Sequence, residues 1–120
     1  MAHIAVDLDG TLSAAPVEMQ DVLSALKACG HRISVLTGTS SDPVTQQDFD
    51  EKANFLNKLG LGESYDDMTV ISNSGNLAQM KAQICVDEKV DVFIDNSRAN
   101  ADAAVSAGVP LVLVPWASRV

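Results

Sequence analysis

Five short apolar runs alternate with four segments of helical periodicity along this chain, and that alternation restricts the fold more than any other feature. The runs occupy residues 3–8, 33–36, 68–71, 90–94 and 111–114. Between the first two, Pro16 opens a helical pattern with Val17, Val22, Leu23 and Leu26 on one side, and Gly30 closes it. From Thr45 onward Phe49, Ala53, Leu56 and Leu59 recur at helical spacing before Gly60 and Gly62. Leu77, Met80 and Ile84 mark a third helix; Ser97 caps a fourth over 98–107, which Gly108 ends. Strand, helix and strand within so few residues form a βαβ unit, which makes the strands parallel and the crossover right-handed. Repeated along the chain, the unit predicts an α/β protein: a three-layer Rossmann-like fold with a parallel five-stranded sheet.

Composition agrees with one compact domain over residues 1–120. A chain of 120 residues, 47% hydrophobic and 20% charged, has enough apolar material for a single core, and neither disorder nor a fibrous class fits. The formal net charge of −8 argues against a nucleic-acid backbone or an anionic membrane as main partner, since both are held by Lys and Arg. Cys29 and Cys85 fall in helical segments and are expected to be reduced, buried small hydrophobes. No signal peptide and no apolar run near the length of a membrane span is legible, so a cytoplasmic location is expected.

The ends of the runs carry the chemistry. The first ends in Asp7-Leu8-Asp9-Gly10, with two carboxylates that an extended strand would point the same way and a glycine that permits a sharp turn. The second ends at Thr37, the third at Ser72–Ser74 and the fourth at Asp95-Asn96. In a parallel sheet all of these reach one rim, outside which ligands bind. Two close carboxylates repel unless a cation uses them, and an oxygen-rich rim suits Mg²⁺. Each residue alone has a plainer role: a solvated strand end for Asp7 and Asp9, a turn for Thr37, a solvated side chain for Lys81, a helix cap for Asp95. An EF-hand is excluded, because its sixth position would be Leu12 and a strand precedes the loop.

In combination these residues resemble the haloacid dehalogenase-like hydrolases. Asp7-Leu8-Asp9-Gly10-Thr11 looks like the first motif of that superfamily, Thr37 before Gly38 the second, Lys81 the third, and Asp95-Asn96 after an apolar strand the fourth. One departure is Asn96, where many members carry a second aspartate. The resemblance implies a Mg²⁺-dependent phosphatase, a phosphoric monoester hydrolase working through an aspartyl-phosphate intermediate. Asp7 would be nucleophile and Asp9 acid and base. Asp7, Asp9 through its carbonyl, and Asp95 would hold the metal. Thr37, Gly38 and Lys81 would bind phosphate, with Asn96 and Asn100 supporting the metal from behind.

Only Leu12 to Ala15 separate the first motif from its helix, and few residues lie between Ser72 and Lys81, so no cap domain fits. An open rim leaves closure to a large substrate, to a second copy of the chain, or to none for a small phosphomonoester such as a nucleotide. Trp116 either stacks on a base there or packs the end of the last strand. Two rival readings differ in kind. A signalling receiver domain would carry its phospho-acceptor Asp on the third strand and its Lys after the fifth, and neither is present. A hydrolase-like domain without catalysis, serving as a binding module, is favoured only by Asn96.

Overall fold

The computed structural model describes residues 1–115 as ten elements, nine of them regular. The strands are β1 (His3–Asp7), β2 (Arg32–Thr39), β3 (Asp67–Ser72), β4 (Val92–Ile94) and β5 (Leu111–Leu113). The helices are α1 (Pro16–Ala28), α2 (Gln46–Lys58), α3 (Leu77–Asp87) and α4 (Arg98–Ala107). Between β1 and α1 the tenth, Leu8–Leu12, is an irregular helical turn. The five strands form one sheet in the order β3-β2-β1-β4-β5, and every pairing is parallel.

Side-chain alternation along the strands feeds two cores. Ile4, Val6, Ile33 and Val35 point to one face and pack with Leu23 of α1 and Leu56 of α2. Ala5, Leu36 and Phe93 point to the other and pack with Cys85 of α3 and Ala104 of α4. Helices thus cover both faces, and the expected three-layer α/β architecture stands.

Several local expectations change once packing is included. Strand β2 continues beyond Thr37, because Thr37, Gly38 and Thr39 pair with Val70, Ile71 and Ser72 of β3. β4 is shorter than its apolar run: Val90 is buried but precedes the ladder. α1 does not bury Val17 and Val22, which are 66% and 52% exposed; Leu23 is buried, and Met19 and Leu26 pack beside it, one turn apart on the sheet side. α3 likewise turns Met80 outward and buries Lys81, Ala82 and Cys85. Both cysteines are free, but Cys29 is exposed where a buried residue was expected. Among the described residues no helix is long and apolar enough to cross a membrane. Trp116 lies outside the described residues.

Candidate functional site

The strand order reverses beside β1: β2 and β3 follow on one side, β4 and β5 on the other. In open α/β sheets the crevice for ligands lies at such a switch, outside the carboxyl ends of the strands. Asp7 ends β1, and Asp95 follows directly on β4, so the two carboxylates flank the crevice. Lys81 reaches them from α3. Its ammonium donates to Asp7 Oδ1 at 2.7 Å and to Asp95 Oδ2 at 3.0 Å, with the lysine side chain 1% exposed.

That arrangement explains the burial of a lysine on α3. Asp7 follows Ala5 by two residues and shares its face, the one α3 covers, so the helix must bring a cation to the carboxylate. Asp95 is held further by the Ser97 backbone N–H at 2.9 Å and by Asn100 Nδ2 at 2.9 Å. Ser97 in turn caps α4 by accepting from the Asn100 N–H. Burial raises the Asp7 carboxyl above its ordinary value; Lys81 opposes that shift, and the nearby Asp95 charge adds to it.

Asp9 does not join Asp7 as the strand pattern predicted. The strand ends at Asp7, Gly10 takes a left-handed φ of 81°, and the turn directs the Asp9 carboxylate outward, 62% exposed. There it accepts from Lys52 Nζ of α2 at 3.1 Å. Only the Asp9 carbonyl stays on the inner side, beside the Asn96 side chain. Thr11 completes this corner: its hydroxyl donates to Asp7 Oδ2 at 3.1 Å and accepts the Asn96 backbone N–H at 3.0 Å.

Thr37 lies on the same rim, one step beyond Leu36, the β2 partner of Asp7. Its hydroxyl is fully buried and, among the described residues, is the one buried side-chain polar atom without a partner. Buried polar groups are rarely left so, and a ligand that accepts a hydrogen bond would satisfy it. Gly38 next to it approaches the Leu77 side chain closely, within 3.0 Å of where a Cβ would stand. A cavity of about 210 Å³ opens elsewhere, lined by His3, Arg32 and Ser34 among others. Of its polar side chains, His3 contacts Ser34, Ser34 donates to Asp67, and Arg32 pairs with Asp67. The buried unpaired hydroxyl, that of Thr37, lies instead at the rim.

Among the described residues no three Asp, Glu, His or Cys side chains converge where they could hold a metal ion. The rim oxygens that could contribute to one are those of Asp7 and Asp95, which already accept hydrogen bonds, and the Asp9 carbonyl. Mg²⁺ characteristically takes one or two carboxylates and leaves its remaining positions to water or phosphate.

Lys52 and Thr11 were not singled out from sequence. Lys52 meets Asp9 from 43 positions away, and nothing local distinguishes it from any solvated helix lysine. Thr11 had a signal, its place one residue after the turn glycine.

Neither a protein-family model nor a curated protein sequence matches the chain. Solved structures do. A universal stress protein from Archaeoglobus fulgidus superposes with a TM-score of 0.61 at 10% identity, covering 94% of this chain and 93% of that one. The universal stress protein from the same organism in complex with dAMP gives 0.62 at 10% identity, over 94% and 97%. A protein of the universal stress protein family from Burkholderia pseudomallei gives 0.55 at 12% identity, over 95% and 96%.

These neighbours correct the family resemblance drawn from the motifs: they are universal stress proteins, not haloacid dehalogenase-like hydrolases. The phosphoric monoester hydrolase activity, its aspartyl-phosphate intermediate and the enzyme class rested on that resemblance and are withdrawn with it. The receiver domain and the catalytically silent hydrolase-like module gain no support either. The physical reason is that a doubly wound sheet delivers all its strand ends to one rim. Oxygen-bearing residues in that order therefore mark a ligand-binding rim in any such fold, without specifying a chemistry.

Proposed function

We propose that the chain binds a phosphorylated small molecule, a nucleoside phosphate, in the crevice between β1 and β4, together with Mg²⁺. The observation that carries the reading is the buried Lys81 bridging Asp7 and Asp95 at the switch point of the sheet. A structural neighbour in complex with dAMP supports the ligand class.

Charge counting supports the cation. Asp7, Asp95 and Lys81 together carry one net negative charge when ionised, and Asp9 with Lys52 carries none. A phosphate dianion would add two more negative charges to a partly buried site, which is costly without compensation. A divalent cation held by Asp7, Asp95 and the Asp9 carbonyl supplies it and bridges to phosphate oxygens. Lys81 then orients Asp7 and Asp95 and adds positive potential. The Thr37 hydroxyl donates to a phosphate oxygen. Lys52, two-tenths exposed, is placed to leave Asp9 for an outer phosphate.

The test is calorimetric titration of AMP, dAMP and ATP into the purified protein, with Mg²⁺ and with chelator. Binding that needs Mg²⁺ and weakens in Thr37→Val is the expected result. A folded protein that takes up none of the three in either condition would remove the reading.

A further inference from the structure

Helix α2 carries its apolar stripe past the end of the core. Leu56 is fully buried and marks the line of the helix that faces the sheet. At about 100° per residue, Phe49 lies about 20° from that line, seven positions nearer the helix start. It is nevertheless 36% exposed. The reason is its position along the axis. α2 begins after the loop that leaves the carboxyl end of β2, so its first turn stands at the rim. Seven residues of helix span about 10 Å, whereas Thr37 lies two strand residues, about 7 Å, beyond the core residue Val35. Helical side chains also lean toward the helix N-terminus. The Phe49 ring therefore overhangs the strand ends, beyond the last core residues.

The same face holds the unpartnered hydroxyl. Ile33 and Val35 of β2 point to the side that α2 covers, and Thr37, the next alternate residue of the ladder, points with them. Lys52 is set about 40° from the Leu56 line on the side opposite Phe49, toward the turn after β1, where it meets Asp9. A hydroxyl donor, an ammonium and an uncovered aromatic face thus share one edge of the molecule. We propose that Phe49 is the platform on which the base of the bound nucleoside phosphate stacks. The phosphate end lies at Thr37 and Lys52, beside β1, and the base end lies under the ring, over β2. The inference rests on the nucleoside phosphate part of the proposed function and not on its Mg²⁺ part. Stacking needs no directional partner, since every base presents a π face, so purine and pyrimidine nucleotides are both accepted.

The experiment compares AMP with ribose 5-phosphate, which carries the same sugar and phosphate without the base. Both are titrated calorimetrically, with Mg²⁺ present, into the wild type, Phe49→Ala, Phe49→Leu and Phe49→Trp. The leucine keeps apolar bulk but has no ring, so it separates stacking from mere coverage. AMP affinity should fall about five- to a hundredfold in Phe49→Ala and Phe49→Leu and be kept by Phe49→Trp. Ribose 5-phosphate affinity should be the same in all four proteins. In NMR spectra of the wild type, the Phe49 ring protons should move upfield on saturation with AMP and stay in place with ribose 5-phosphate.

AMP affinity unchanged in Phe49→Ala and Phe49→Leu, or lowered by the same factor as that of ribose 5-phosphate, would overturn the inference and leave nucleotide binding standing. Ring signals that do not respond to AMP would do the same. Uptake of neither compound by the folded wild type removes the nucleotide reading and the platform with it. Where ribose 5-phosphate binds too weakly to titrate, or a variant does not fold, the wild-type ring signals decide.

Discussion

Lys81 Nζ lies 2.7 Å from Asp7 Oδ1 across 74 positions of sequence, and this contact closes α3 onto the end of β1. The lysine is 1% exposed and the aspartate side chain 9%, so the pair belongs to the protein interior. The same ammonium also donates to Asp95, so it joins α3 to the ends of both β1 and β4.

Lys81→Met should destabilise the fold by about 3–5 kcal/mol at neutral pH, because it leaves two carboxylates buried without their cation. Adding Asp7→Asn to that variant should recover part of the loss. Urea unfolding at pH 7 checks both; a loss under about 1 kcal/mol would show that the ammonium is dispensable.

The Asp7 carboxyl, raised by burial, keeps its proton in the folded chain at pH values where the unfolded chain, with an ordinary value of 3.8, has lost it. The folded state then binds more protons, so the stability contributed by this group falls as pH rises from about 3.8 through the folded value. NMR titration of the Asp7 carboxyl carbon should give a midpoint above 3.8, and a midpoint below it would contradict burial as the leading cause.

Asp48 should behave in the opposite sense. Its carboxylate accepts from the Thr45 backbone N–H and from the Ser41 and Thr45 hydroxyls, which lowers its pKa below 3.8. That stabilisation is complete above 3.8 and is lost as pH falls through the lower folded value. Asp48→Asn should thus melt earlier than wild type at pH 7 and match it at strongly acid pH. Thr45→Ala, which removes the other half of the capping box at the start of α2, should cost about 1 kcal/mol.

Gly10→Ala should be among the more damaging single-methyl additions in this chain. The residue has φ 81°, which costs about 1–2 kcal/mol for an L side chain, and the added Cβ would stand 2.7 Å from the Asn96 amide. A lowered melting temperature together with shifted Asn96 N–H₂ resonances is expected. Unchanged resonances would mean that the turn relaxes away from β4.

Thr37→Val separates binding from stability. The hydroxyl has no partner among the described residues, so an isosteric methyl should leave the melting temperature unchanged or raise it. The same change removes a donor to a charged phosphate oxygen, worth about 1.5–3 kcal/mol, so nucleotide affinity should drop at least about tenfold. Lower stability without loss of affinity would place the Thr37 hydroxyl in the core rather than in the site.

Much of the architecture was legible because its causes are local. Apolar runs of strand length, helical spacing, the Pro16 start, the Ser97 cap and the left-handed glycines at 30, 60 and 108 act over a few residues each. Their alternation admits essentially one layered parallel arrangement. The arrival of Asp7, Thr37 and Asp95 at one rim then follows from strand direction alone.

Which side chains turn inward there was not legible. Asp7 and Asp9 looked equivalent as alternate residues of one strand, but the strand stops between them and Gly10 sends the second carboxylate to Lys52. Lys81 and Lys52 are both helix lysines, and only the docking of α3 and α2 separates a buried ammonium from a half-open one. The Thr11–Asn96 contact spans 85 positions. The resemblance drawn from the motifs failed for a related reason, since the rim collects similar residues in any doubly wound sheet. By itself the sequence determined the order of elements, their parallel sense and the set of polar residues brought to one edge, through backbone preference and hydrophobic period. Only the tertiary structure decided which of those residues are desolvated, paired or left with an open valence, because that depends on contacts between segments whose separation carries no periodic signal.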